Sequence, residues 1–107
     1  MDVLKGLYRV VLERKEHPVP DSYTCYLFEK GLDKILKKCG EECSEVIIAA
    51  KNGQAEDTVN EVCDLLYHLL VLMAEQGIAI DKVESVLEAR RLKIGNLKKM
   101  RQTDHES

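Results

Sequence analysis

Glu61-Val62-Cys63-Asp64-Leu65-Leu66-Tyr67-His68-Leu69-Leu70-Val71-Leu72-Met73-Ala74 is the stretch whose reading decides the fold. Two carboxylates one turn apart open a segment that is otherwise almost wholly apolar. At about 100° per residue, Glu61, Asp64 and His68 share one narrow stripe, and the leucines, valines and methionine cover most of the remaining circumference. Such a helix needs cover on several sides. An unpaired carboxylate in that setting costs several kcal/mol, and two or three of them would consume a total stability of about 5 to 15 kcal/mol. Something positive must meet them.

Working back along the chain, Leu32, Ile35, Leu36, Cys39, Cys43, Val46, Ile47 and Ala50 form a second helical stripe between Leu32 and Lys51, crossed only by Gly40. A glycine inside a helix suggests close packing there. On the flank of this stripe run Lys38, Glu41, Glu42 and Glu45, with Glu42 nearest the core edge. Asn52-Gly53 ends the helix and Asp57-Thr58 is expected to cap the next, a connection of about five residues that forces an antiparallel hairpin. The two acidic rows then face each other across it, their centres offset by about one turn, near 5 Å.

The remaining elements fit around that hairpin. Asp2 to about Lys15 has helical apolar spacing with Asp2 as its expected N-cap, and His17-Pro18-Val19-Pro20 stops it. Asp21 or Ser22 caps a short helix through Phe28, with a break at Gly31. Asp81-Lys82-Val83-Glu84 has the pattern of a capping box opening a last helix, and about 101–107 read as a frayed polar tail. The expected fold is all-α: an antiparallel helical hairpin at the centre of a four- to five-helix bundle, residues 1–107 forming one domain completed by homodimerisation.

Composition bounds the function. With 16 Lys plus Arg against 19 Asp plus Glu in 107 residues, the balance is mildly acidic, which argues against a general nucleic-acid binder. The start lacks the pattern of a secretion signal, and no apolar run approaches the ~18 residues of a membrane helix, so a cytoplasmic protein is expected. Cys25, Cys39, Cys43 and Cys63 form no C-x-x-C pair, and three of them fall on apolar helix faces, where a reduced thiol packs as a small hydrophobe.

Each acid alone has a structural explanation. Thr58-x-x-Glu61 fits a capping box, and Lys38 can pair with Glu42 at i+4. Together, Glu41-Glu42-x-x-Glu45 and Glu61-x-x-Asp64 bring up to five like charges into one cleft, where repulsion is severe unless cations enter. All the candidate ligands are oxygens, which selects a hard ion, Mg²⁺ with Mn²⁺ as the alternative. A ferritin-like di-iron site wants two Glu-x-x-His pairs, and neither motif here ends in His. His68 reads as a hydrogen-bonded core histidine more readily than as a ligand contact. Mg²⁺ binds phosphate oxygens as well as carboxylates, so a polyphosphate is the natural substrate of such a cleft.

The motif pair Glu-Glu-x-x-Glu and Glu-x-x-Asp resembles that of the all-α nucleoside triphosphate pyrophosphohydrolase superfamily, which includes MazG-type proteins and dimeric dUTPases. Within it, the string from Leu7 to Lys98 is most similar to the phosphoribosyl-ATP pyrophosphatase family. It runs through Ser22-Tyr23-Thr24, Leu27-Phe28-Glu29-Lys30-Gly31, Lys34-Ile35-Leu36-Lys37-Lys38-Cys39-Gly40-Glu41-Glu42, Val46-Ile47-Ile48-Ala49-Ala50-Lys51 and Asp64-Leu65-Leu66-Tyr67-His68. The resemblance implies Mg²⁺-dependent hydrolysis of the α,β phosphoanhydride bond of phosphoribosyl-ATP, a step of histidine biosynthesis, by a homodimer. It also implies metal ligation by Glu42, Glu45, Glu61 and Asp64, with Glu41 as an outer acid or base. Cys39, Cys43 and the end from Arg90 to Lys98 depart from the family's commoner residues. Lys38 and Arg90 are the candidates for holding substrate phosphates, although cations near a helix C-terminus such as Arg90 and Lys98 are favoured by the dipole in any case. Two rival functions stand beside this one: a housekeeping pyrophosphohydrolase of the same superfamily acting on another nucleotide, and a non-catalytic helical dimerisation module.

Overall fold

The computed structural model describes residues 2–93, which form five helices: α1 (Asp2–Glu16), α2 (Tyr23–Lys30), α3 (Leu32–Asn52), α4 (Ala55–Gln76) and α5 (Ile80–Leu92). The all-α class expected from the sequence holds. The positions expected to continue the last helix beyond Lys93, Lys98 among them, and the tail at 101–107 lie outside the described residues.

Local chemistry explains most of the boundaries. Ser22 caps α2 by accepting a hydrogen bond from the Cys25 amide at 3.1 Å. Gly31, at φ 94°, separates α2 from α3, where an L side chain would be strained. Gly53, in the left-handed region, ends α3, and its N–H donates to the Ala50 carbonyl.

Here the structure corrects the expected five-residue connection. Only Gly53 and Gln54 lie between α3 and α4, and Gln54 is extended at the N-cap position. Asp57 and Thr58 are therefore inside α4, where the Thr58 hydroxyl donates to the Gln54 carbonyl instead of capping. The same displacement removes the capping-box explanation of Glu61. A similar correction applies at α5, which begins at Ile80 without a side-chain cap; Asp81 and Glu84 pair instead with Lys5 of α1, at 3.4 and 3.2 Å. Asp2 likewise lies in the first turn of α1 and not before it. In each case the helix begins ahead of the acidic signal, by about one turn at α4 and by only a residue or two at α1 and α5, leaving Asp2, Asp57 and Asp81 in the first turn, which the helix dipole also favours.

α3 and α4 make the most extensive packing of any pair, so the antiparallel hairpin is the centre of the fold. At its Gly31 end a core of Tyr8, Val11, Leu27, Ile35, Cys39, Leu70, Val71, Ala74 and Ile80 gathers side chains from all five helices. Lys15 donates to the Ala74 carbonyl at 2.9 Å, a second bond to an oxygen that also accepts from the Gly77 N–H in the cap of α4, and so ties α1 to the end of α4. Two expectations about packing fail. A Cβ at Gly40 would meet nothing within 4 Å among the described residues, so close approach to them is not its reason. Of the four free thiols only Cys39 is buried, while Cys43 and Cys63 stay exposed because the helix faces that carry them have no cover among the described residues.

Candidate active site

The hairpin carries out the juxtaposition that the acidic rows required. Carboxylate oxygens of Glu42, from the middle of α3, and of Glu61 and Asp64, from the second and third turns of α4, all lie within 4.8 Å of one another. Glu42 is the most enclosed of the α3 acids: its side chain is 13% exposed against 49% for Glu41, which places Glu42 inside the cleft and Glu41 on its rim. Glu45 does not join the trio. Three residues beyond Glu42, it is rotated about 60° to the solvent side and remains exposed, yet its charge is still felt at Glu61.

The electrostatics follow from this crowding. Partial removal of Glu61 from water raises its carboxyl pKa, and the charges of Asp64, Glu42 and Glu45 and a hydrogen bond with Glu42 push it the same way. Lys38 meets the cluster from one turn back on α3, its Nζ 3.6 Å from Glu41 and 3.9 Å from Glu42. Burial works against the Lys38 ammonium, but Tyr23, Glu41 and Glu42 outweigh it and raise its pKa. One lysine against this many carboxylates leaves the cleft negative. Oxygen ligands at these separations, with no thiolate among them, suit a hard divalent cation.

Arg90 is a second predicted site residue that does not join the trio. It is exposed on the last turn of α5, and among the described residues it takes no part in the ion pairs of the carboxylate cluster.

Behind the carboxylates sits a polar and aromatic wall that the sequence reading only partly anticipated. His68 is buried as expected of a core histidine, at 5% exposure. Its Nδ1 is 2.7 Å from the Asp64 carbonyl oxygen, so Nδ1 carries the proton and donates, and Nε2 accepts from the Tyr23 hydroxyl at 3.2 Å. Tyr67 shares a hydrogen bond with Thr24 and packs edge-on to His68 with centroids 4.9 Å apart. Through this chain α2 is fixed to the turn of α4 that bears Asp64. Tyr23 and Tyr26 were missed as functional candidates. The signal available was their i, i+3 spacing on a short helix that the hairpin had to accept somewhere.

Against this geometry the comparisons are decisive. Residues 4–91 match the family model described as phosphoribosyl-ATP pyrophosphohydrolase. The chain belongs to that family. A phosphoribosyl-ATP pyrophosphatase of Clostridium botulinum (strain Kyoto / Type A2) is 56% identical over 102 residues, covering 95% of this chain and 93% of the relative. The proteins of the same name from Streptococcus sanguinis (strain SK36) and Bacillus cereus (strain B4264) are each 50% identical over 103 residues and cover 96% of this chain, matching 99% and 96% of their own lengths. The matched region takes in both arms of the hairpin, and therefore all five acids of the two motifs.

Proposed function

We propose that this chain hydrolyses the α,β phosphoanhydride bond of phosphoribosyl-ATP to phosphoribosyl-AMP and pyrophosphate, with Mg²⁺ as its cofactor. The observation that carries the reading is the convergence of Glu42, Glu61 and Asp64 within 4.8 Å in a chain of this family. Those three, with Glu45 at the rim, would hold Mg²⁺, which supplies charge neutralisation on the phosphate oxygens and a lowered pKa for the attacking water. The chain's own groups do the rest. Lys38 holds a phosphate oxygen and offsets charge on the departing pyrophosphate. Glu41, on the outer side of Glu42, accepts the proton as the water oxygen bonds to phosphorus and the bridging P–O bond breaks. His68 and Tyr23 move no proton; they fix the backbone that aims Asp64.

The homodimer is part of this proposal. α5 turns away from α4 by 118°, and its Val86 and Leu87 remain exposed. A groove of about 890 Å³ beside it is lined by Leu4, Leu66, Ile80, Val83 and Leu87, and on the hairpin Ile47 and Val59 are 68% and 59% exposed. Apolar surface so extended is what a second copy would cover.

Turnover of phosphoribosyl-ATP measured against free ATP, with pyrophosphate release as the readout, tests the assignment. Strong preference for phosphoribosyl-ATP is expected. Equal or greater activity on ordinary nucleotides would transfer the chain to the housekeeping reading, and no hydrolysis of either in Mg²⁺ would remove the enzymatic one.

A further inference from the structure

The carboxylates and Lys38 account for the triphosphate of such a substrate and leave its other parts without a seat. Next to them, on the side of α2, the structure holds an aromatic pair and two more cations. Tyr23 and Tyr26 stack with centroids 6.0 Å apart and planes inclined by 24°, and both stay open to solvent, at 46% and 39%. Tyr23 is the ring nearer the cluster: its hydroxyl donates to His68, and Lys38, Glu42 and Glu41 all act on it electrostatically. On the far side, Lys30 and Lys34 place their ammonium groups 5.7 and 6.0 Å from the centre of the Tyr26 ring.

α3 arranges these groups in order. Lys34, Lys38 and Glu42 recur at i, i+4 and i+8 on one face, so that Lys34 stands about 12 Å along the axis from Glu42 at 1.5 Å per residue. From the hairpin outward the succession is carboxylates, Lys38, stacked tyrosines, and the Lys30/Lys34 pair. A phosphoribosyl-ATP molecule has the same succession: a triphosphate, a purine and a second ribose ending in a monophosphate.

Resting on the functional reading above, we propose that Tyr23 and Tyr26 stack the purine and that Lys30 and Lys34 receive the monophosphate of the second ribose. Aromatic faces bind any base, so the tyrosines give affinity without selectivity. The lysines give the selectivity, because only a substrate with the additional phosphate reaches them. His68 keeps the Tyr23 ring at a constant distance from Asp64.

The test compares two constants in saturating Mg²⁺: KM for phosphoribosyl-ATP and Ki for ATP as its competitor. Tyr26→Ala is expected to raise both by roughly 5- to 100-fold, the range spanned by base stacking, with kcat largely preserved. Tyr26→Phe keeps the ring and should leave both constants near wild type. Lys30→Met combined with Lys34→Met is expected to raise KM for phosphoribosyl-ATP by about tenfold or more, as loss of charge-assisted contacts does, and to leave Ki for ATP within about twofold. An unchanged KM in these variants overturns the subsite, as does an equal rise of both constants in the lysine variant, which would mean only general attraction. Dissociation of the Tyr26→Ala oligomer in sedimentation would show the tyrosines to be an interface and also overturns it. A wild-type chain inert towards phosphoribosyl-ATP removes the functional reading and the subsite with it, whereas an active wild type with unmoved variants removes the subsite alone.

Discussion

His68 ties the chemistry to the core, and its removal should be felt in both. The ring is 5% exposed and makes two hydrogen bonds, to the Asp64 carbonyl at 2.7 Å and to the Tyr23 hydroxyl at 3.2 Å. Each is worth about 0.5 to 1.5 kcal/mol net, the Tyr23 bond towards the lower end because water can replace it. Loss of the ring's packing in His68→Ala adds a cavity beside Tyr67 and Tyr23, for a total of about 2 to 4 kcal/mol. For a domain of this size that lowers Tm by roughly 10 to 25 °C. His68→Phe keeps the volume and loses both bonds, so about 1 to 3 kcal/mol and roughly 5 to 20 °C are expected. Below its transition the Phe variant should show a reduced kcat and a raised Mg²⁺ requirement, because Asp64, one of the residues proposed to hold the ion, is less firmly aimed. Calorimetry at fixed protein and Mg²⁺ concentration, beside steady-state kinetics, measures all of this. If His68→Ala melts within about 3 °C of wild type, the reasoning that links the buried imidazole to the fold is wrong.

Three other outcomes are expected. Glu41→Gln should depress the maximal rate with little change in the Mg²⁺ concentration for half activity, whereas Glu42→Gln should raise that concentration sharply; indistinguishable Mg²⁺ titrations would mean that the two acids have been assigned wrongly. Glu61→Gln should abolish turnover while raising, or leaving unchanged, the Tm of the metal-free protein. The folded-state pKa of Glu61 lies above the ordinary 4.5, raised by desolvation and by its acidic neighbours, so the wild type loses stability as pH rises through that value. The advantage of Glu61→Gln in metal-free buffer should therefore be small near pH 4.5 and grow towards about pH 7, and an advantage that shrinks over that interval would contradict the repulsion. Sedimentation at micromolar concentration should give a dimer; a stable, soluble monomer would show that the exposed faces of α4 and α5 need no cover.

The hairpin was legible in the sequence because its signals are strong and redundant: two apolar stripes of helical period, a glycine stop between them, and acids on matching flanks. Periodicity alone placed Glu42 deeper than Glu41. The Ser22 cap of α2 was legible, but the starts of α4 and α5 were not, because Asp and Thr serve equally at the N-cap and in the first turn, and at Asp57, Thr58 and Asp81 the backbone chose the latter. Glu45 is the acid that the motif spacing alone does not locate: it stands about 60° around α3 from Glu42, outside the trio but close enough for its charge to act on Glu61. Tyr23 and Tyr26 were invisible as a pair beside the site, because their position depends on how α2 lies across the hairpin, and that is settled by burial of Leu27 and by the hydrogen bonds of Tyr23 and Thr24 to α4.

The two-residue turn at Gly53 and Gln54 has a kinetic side. Closing so short a connection is among the cheapest contacts a chain can form, and hairpins of this kind assemble early. Here that early event is the one that drives Glu42 against Glu61 and Asp64. The chain therefore climbs its electrostatic barrier at the beginning of folding, before α1 and α5 have supplied compensating burial. Dissolved salt, and divalent ions most of all, would act on the transition state as well as on the finished protein. Where magnesium is scarce, closure of the hairpin is expected to be slower, because less then offsets that repulsion.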